Sequence, residues 1–158
     1  MKNYIKNLRQ KIGHQKFIHP GARIIIENEL GQVLFIERID NGKLGIPAGG
    51  FEEDETIEEC IIREVKEETG LEILSLELIG LSSNPKNETV EYPNGDMIQY
   101  FTCEFYSNDF QGEIRADNVE VRKAIFLDFS NFKKLPNNER STFESLEFFR
   151  KKRRVRLR

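Results

Sequence analysis

Between Glu52 and Glu72 the chain carries ten acidic residues and only two basic ones, Arg63 and Lys66. Such a segment repels itself unless positive charge is brought against it. A hard divalent cation with oxygen ligands would supply that charge. Thr56 to Thr69 contains no Pro or Gly and opens with acids, which predicts a helix. At about 100° per residue, Glu64, Glu67 and Glu68 fall within roughly 100° of one another. Ile61, Ile62 and Val65 form an adjacent apolar stripe, and Glu59, Arg63 and Lys66 take the outer side. Gly70 ends the helix in the usual C-terminal way. Magnesium prefers six oxygens, keeps some waters and shares substrate phosphate oxygens. Bridging two phosphates, it neutralises a pyrophosphate and lowers the pKa of a bound water.

Other residues could serve the same chemistry. The glycines of Leu44-Gly45-Ile46-Pro47-Ala48-Gly49-Gly50 let backbone approach a metal or phosphate. Arg38 closes the apolar run VLFIER; its guanidinium suits phosphate, and a plain surface role fits equally. Arg23 has a weaker claim of the same kind. Phe17, Tyr92 and Tyr100 are conceivable platforms for a base, although aromatics at strand spacing are more often core. Cys60, near the carboxylate face, is a reactive thiol or, more ordinarily, a small packing residue.

These groups need a scaffold. Asn3 to Ile12 has helical spacing, and Gly13 stops it. His14 to Gly21 reads as a connector containing Pro20. Ala22–Glu27 and Gln32–Arg38 read as strands around the turn Asn28-Glu29-Leu30-Gly31. Leu44 to Gly50 is an extended loop feeding the acidic helix. Ile73–Leu81 reads as one strand, with Leu74, Leu76 and Leu78 alternating. Ser82 to Glu91 is a polar loop, and Tyr92-Pro93-Asn94-Gly95-Asp96 a tight turn. Met97–Tyr106 is a strand whose apolar register holds Met97, Phe101, Cys103 and Phe105. Ala124–Phe129 is a last strand, and Asn138–Lys151 a C-terminal helix. No repeat or second domain is visible, and the mixed order of strands and helices suggests a mixed sheet between helices.

At 158 residues, 38% hydrophobic and 32% charged, the chain fits a single globular domain with a sizeable core. No apolar run approaches the roughly 20 residues needed to span a bilayer, and the opening MKNYIKNLRQK has no apolar signal core. A cytoplasmic protein without a membrane partner is expected. Cys60 and Cys103 give neither a disulfide framework nor zinc spacing. The net charge is −3, and the segment RKKRRVRLR at 150–158 carries seven positive charges, leaving −10 on the rest. An acidic body argues against nucleic acid as partner. The tail reads as a frayed, solvated terminus, with RNA, an acidic partner or its own acidic body as alternatives.

The residues Gly49, Glu55, Arg63, Glu64, Val65, Glu67, Glu68, Gly70 and Leu71 fill every fixed position of G-x5-E-x7-R-E-U-x-E-E-x-G-U, with U a bulky aliphatic. In this the chain resembles the Nudix (MutT-like) hydrolases, over about residues 22–129. The resemblance implies an α/β fold, an α/β/α sandwich around a mixed sheet. To this the helix before the first strand is an addition, with one domain over 1–149 and the basic tail after it. It implies Mg²⁺-dependent hydrolysis, with Mn²⁺ as a substitute, of a nucleoside diphosphate joined to another group. Such a small-molecule substrate would be ADP-ribose or another nucleotide sugar, or a nucleoside triphosphate.

Carried over by position, Glu64, Glu67, Glu68 and the Ala48 carbonyl would bind metal. Glu64 is the leading general base, Glu55 an outer carboxylate, and Arg63 a partner that holds a glutamate rotamer. Arg38 and Arg23 would meet phosphate, and Glu120 would supply a further carboxylate. Leu44 and Ala48 stand where an aromatic and a glycine are common, which removes no ligand. Pro85 lies fourteen residues past Leu71, one or two short of the position whose proline marks many ADP-ribose hydrolases. A non-catalytic nucleotide-sensing module and an RNA-linked decapping-type protein are the alternatives, and the resemblance also allows a homodimer.

Overall fold

The computed structural model describes residues 4–158. In chain order the elements are α1 (Tyr4–Ile12), β1 (Phe17–Ile26), β2 (Val33–Arg38), β3 (Leu44–Gly45), β4 (Ala48–Gly50) and α2 (Ile57–Thr69). They continue with β5 (Glu72–Ile73), β6 (Glu77–Ser82), α3 (Pro85–Glu88), β7 (Thr89–Glu91) and β8 (Met97–Ser107). The last are β9 (Phe110–Gln111), β10 (Val121–Leu127), a 3₁₀ turn (Phe129–Lys134), α4 (Asn137–Lys152) and β11 (Arg156–Leu157). The expected start of the first helix, Asn3, lies outside the described residues.

The main sheet has the order β11-β6-β8-β1-β4, with β7 paired to β8. It is mixed: β1 runs parallel to β8, β11 parallel to β6, and the other pairs are antiparallel. A second, antiparallel sheet is β10-β2-β3. The run Ile24-Ile25-Ile26 in β1 shows why helices lie on both sides. Ile24 and Ile26 pack with Cys60, Ile61 and Val65 of α2. Ile25 packs with Phe143 and Leu146 of α4. Successive residues point to opposite faces, so a strand covered on both reads as a continuous apolar run. Each such side chain contributes about 1.5–3 kcal/mol when fully buried.

Five expectations are corrected. The first strand begins at Phe17, not Ala22, and takes in Pro20. Pro20 accepts from the Phe51 amide, so its missing N–H faces the edge where β4 has ended and no bond to β8 is lost. The expected strand Ile73–Leu81 is divided, because β5 pairs with β9 while β6 pairs with β8, and Leu74 is 53% exposed. The polar loop after Ser82 holds α3, capped by the Asn84 side chain and started by Pro85.

In β8 the expected register does not decide burial: Phe101 is 41% exposed, whereas Glu104 is fully buried. The tail is not frayed. Arg150 to Lys152 form the last turn of α4, Arg153 turns the chain with φ 53°, and β11 then joins the sheet. Among the described residues no helix is long and apolar enough to cross a membrane.

Candidate active site

The loop after β4 and the helix α2 form one unit. Thr56 caps α2 reciprocally with Glu59: the Glu59 amide donates to Thr56 Oγ1 (3.2 Å) and the Thr56 amide to Glu59 Oε2 (2.7 Å). Gly70, at φ 78°, closes the other end in the left-handed region that glycine occupies without strain. The helix is thereby fixed at both ends, and Glu64 and Glu68 face inward from its middle and last turn.

Arg63 does not take the outer side that a helical wheel assigns to it. Its guanidinium folds back over the loop. Nε and Nη2 donate to the two oxygens of Glu55 at 2.9 and 2.7 Å, Nη1 to Glu64 Oε1 at 2.7 Å, and Nη2 also to the Gly50 carbonyl at 3.1 Å. The fork matches carboxylate geometry. The surface pair with Glu67 is longer, at 3.6 Å. Arg63 holds Glu55 below the ordinary carboxylate range, chiefly through these hydrogen bonds.

Glu64 and Glu68 are pushed the other way. Burial raises both, and Glu68 reaches about 8. Glu64 and Glu120 add to the rise at Glu68, while Arg38 and the Ala48 amide, which donates to Glu68 Oε2 at 3.2 Å, oppose it. Gly49 makes room for this arrangement: a Cβ there would collide with the Glu64 carboxylate. Cys60 is buried against Gly50 and its thiol is pushed up to about 12, mainly by burial, so it is a packing residue rather than a nucleophile.

Glu64, Glu67, Glu68, Ala48, Glu120, Arg38 and Arg23 line one cavity of about 680 Å³, the size of a small-ligand site. Glu55 and Arg63 stand behind its wall. Glu67 is half exposed and Glu120 exposed, on the loop before β10, where Asp117 Oδ1 accepts from the amides of Val119, Glu120 and Val121 at 2.9–3.0 Å. Arg38, at the end of β2, donates to Glu139 of α4 (3.0 Å), which also accepts from the Ile46 amide (2.7 Å). Burial opposes its charge, but Glu139 and Glu68 outweigh burial and raise Arg38.

Arg23 is almost wholly buried and engaged by Glu88, Glu104 and Thr142. Tyr92 and Tyr100 reach the cavity with their hydroxyls 2.7 Å apart, whereas Phe17 lies under Arg9, 4.6 Å from ring centre to guanidinium. Glu88 and Glu139 also line the cavity, and sequence reasoning missed both: each is one acid in a polar stretch, with no local spacing to single it out.

Among the described residues no three acidic, histidine or cysteine side chains converge tightly enough to enclose an ion by themselves. The donor set nevertheless fits a hard cation. It consists of carboxylates beside the Ala48 backbone, two of the carboxylates are held above their ordinary range by burial, and one sits in a cradle that a Cβ would fill. Magnesium commonly takes one or two protein carboxylates and completes its shell with water and substrate oxygens, not with a closed protein cage.

A family model for the NUDIX domain matches residues 17–147. An ADP-ribose pyrophosphatase of Methanocaldococcus jannaschii is 33% identical over 142 residues, covering 85% of this chain and 79% of that protein. An RNA pyrophosphohydrolase of Marinomonas sp. is 44% identical, but over 61 residues, 39% of this chain and 38% of that one. A solved MutT protein from Methanosarcina mazei Go1 superposes with a TM-score of 0.66 over 87% of this chain and 99% of that one; at 22% identity this is a likeness of fold.

Proposed function

The chain belongs to the Nudix family, and from that premise we propose that it is a Mg²⁺-dependent pyrophosphohydrolase acting on ADP-ribose or a closely related nucleotide sugar. The observation that carries the reading is the pairing of opposite charges across one cavity: Glu64 and Glu68 on the α2 wall, Arg38 facing them. A pyrophosphate with its cation would lie between these walls. When bound, the cation would neutralise the phosphates and acidify a water.

The chain's own groups do the rest. Glu64 is the general base, since burial keeps its carboxyl above the ordinary range and so closer to working pH. Arg63 and Glu55 act through Glu64, fixing its rotamer. Arg38 binds a phosphate oxygen, steadied by Glu139. Glu64, Glu67, Glu68 and the Ala48 carbonyl would hold the cation, and Glu120, at the open side, would supply a further carboxylate. Arg23 contributes its charge to the wall, since its donors are occupied. Tyr92 and Tyr100 offer aromatic surface for the nucleoside.

ADP-ribose is preferred over a nucleoside triphosphate because the ADP-ribose pyrophosphatase relative aligns over most of both chains. The match to the RNA enzyme stays within a segment. The test is a panel of ADP-ribose, other nucleotide sugars and nucleoside triphosphates with Mg²⁺, with products separated by chromatography. AMP and ribose 5-phosphate from ADP-ribose, at the highest kcat/KM of the panel, are expected. A nucleoside triphosphate turned over far faster, with release of pyrophosphate, would overturn the substrate assignment.

A further inference from the structure

On the far wall of the same cavity lies a second cluster of charges that the hydrolytic chemistry does not use. Arg23 from β1 bridges Glu88 of α3 and Glu104 of β8. Arg158, just after β11, brings a second guanidinium onto Glu104, and the same Nη2 lies 3.7 Å from Glu88. Hydroxyls complete the set. Thr142 of α4 accepts from Arg23 Nε and donates to Glu104, both at 2.8 Å. Ser82 and Thr102 donate to Glu88.

All four charged side chains are at least nine-tenths buried. The cluster holds two carboxylates and two guanidiniums, so it is neutral only with Arg158 in place. Despite burial, Arg23 and Arg158 hold Glu104 below the ordinary carboxylate range.

Two further features bear on this. The backbone delivers Arg158 by extending the sheet: its amide donates to the Leu81 carbonyl (3.0 Å) and its carbonyl accepts from the Ser83 amide (2.9 Å). Its Nη2 also donates to the Asn138 carbonyl at 3.0 Å. Gly80, opposite Arg156 in the ladder, leaves room for the Glu104 carboxylate, which a Cβ there would strike. Arg23, Glu88 and Thr102 line the cavity, while Arg158 and Glu104 stand behind them.

We propose that Arg158 is a positioning residue of the substrate cavity, supplying the second buried positive charge that keeps the Arg23–Glu88–Glu104 wall neutral towards an anionic ligand. This rests on the reading that the cavity takes a pyrophosphate. Removing one guanidinium leaves two carboxylates sharing Arg23. At low pH one of them takes up a proton. As pH rises it ionises, and the wall gains a negative charge that opposes the ligand. Among the described side chains, those facing Glu104 are Arg23, Glu88, Arg158 and the hydroxyls of Thr142 and Ser145, of which only Arg23 and Arg158 bring positive charge.

The test compares wild type, Arg158→Met, which keeps bulk and loses charge, Arg158→Lys, and the double variant Arg158→Met/Glu104→Gln, in which charge balances again. The Kd of inorganic pyrophosphate with Mg²⁺ is measured from pH 5.5 to 8.5, and KM for the best substrate of the panel alongside it. Pyrophosphate makes the readout independent of the nucleoside assignment, and ratios to wild type remove the ligand's own titration. For Arg158→Met the Kd ratio is expected to climb with pH to about tenfold, the order of one uncompensated charge in a partly desolvated wall. Arg158→Lys and the double variant should stay within about twofold of wild type. Should Arg158→Met not fold, the double variant is still expected to fold and bind. A ratio that is flat with pH, or a loss that neither Lys nor Glu104→Gln restores, would make Arg158 a purely structural strap and overturn the proposal.

Discussion

Two clusters of carboxylates and guanidiniums face the same cavity, and their charge balance differs. On the α2 wall Glu64 and Glu68, with Glu67 and Glu120 at the rim, outnumber their cations. Burial raises Glu64 and Glu68; Arg63, most of whose donors go to Glu55 and Gly50, offsets it only in part at Glu64, and Arg38 with the Ala48 amide only in part at Glu68. On the opposite wall Glu88 and Glu104 meet Arg23 and Arg158 one for one, and Glu104 is held down although it is more deeply buried. Burial alone therefore does not mark a site. A deficit of positive charge does, because it leaves electrostatic work for a ligand to complete. The balanced cluster keeps its own wall neutral; the unbalanced one is where the proposed cation would sit.

The contrast can be broken by mutation. Glu64→Gln preserves shape but removes the proposed ligand charge and general base, and kcat should fall by at least roughly 10²-fold. An equal loss in Glu59→Gln, whose carboxylate caps α2 away from the cavity, would mean that the faces of the helix are wrongly assigned. Gly49→Ala forces the Glu64 carboxylate aside, and a misplacement of that kind should cost between about 10- and 10²-fold in kcat with the fold retained. An unchanged kcat would show that the loop yields freely.

Protonation sharpens the contrast. In metal-free protein Glu68 is raised to about 8. A raised folded-state pKa means that its contribution to stability is complete below the unfolded value and is lost as pH climbs towards 8. Metal-free Tm should fall by roughly 5 °C between pH 5.5 and 8.5. Mg²⁺ should restore more Tm at pH 8 than at pH 6. Equal gains at both would sever Glu68 from the cation. The smallest effect belongs to Thr56→Ala, which should cost about 1 kcal/mol in denaturant unfolding and leave kcat unchanged.

The unbalanced cluster was legible in the sequence because its logic is local. Gly49, Glu64 and Glu68 lie within one loop-helix unit, so spacing along the chain becomes position in space. Arg63 was misplaced by the helical wheel because its partners, Glu55 and Gly50, lie in the preceding loop, which a wheel does not contain. The balanced cluster was illegible for the opposite reason. Arg23, Glu88, Glu104 and Arg158 come from four separate stretches of the chain, and only the tertiary fold joins them. Glu104 stands outside the apolar register of β8, and Arg158 reads as one more charge in a solvated tail. A parallel two-residue strand such as β11 leaves no pattern of its own.

Cation dependence tests the central claim most directly. Mn²⁺ binding is titrated calorimetrically at pH 8 into wild type, Glu64→Gln, Glu68→Gln and, as the control from the balanced wall, Arg158→Lys, and ADP-ribose turnover is followed with Mg²⁺ and with excess EDTA. Binding that weakens in the two glutamate variants, persists in Arg158→Lys, and parallels a turnover abolished by EDTA is the predicted result. Undiminished turnover in excess EDTA, or Mn²⁺ affinity indifferent to both glutamates, would contradict it.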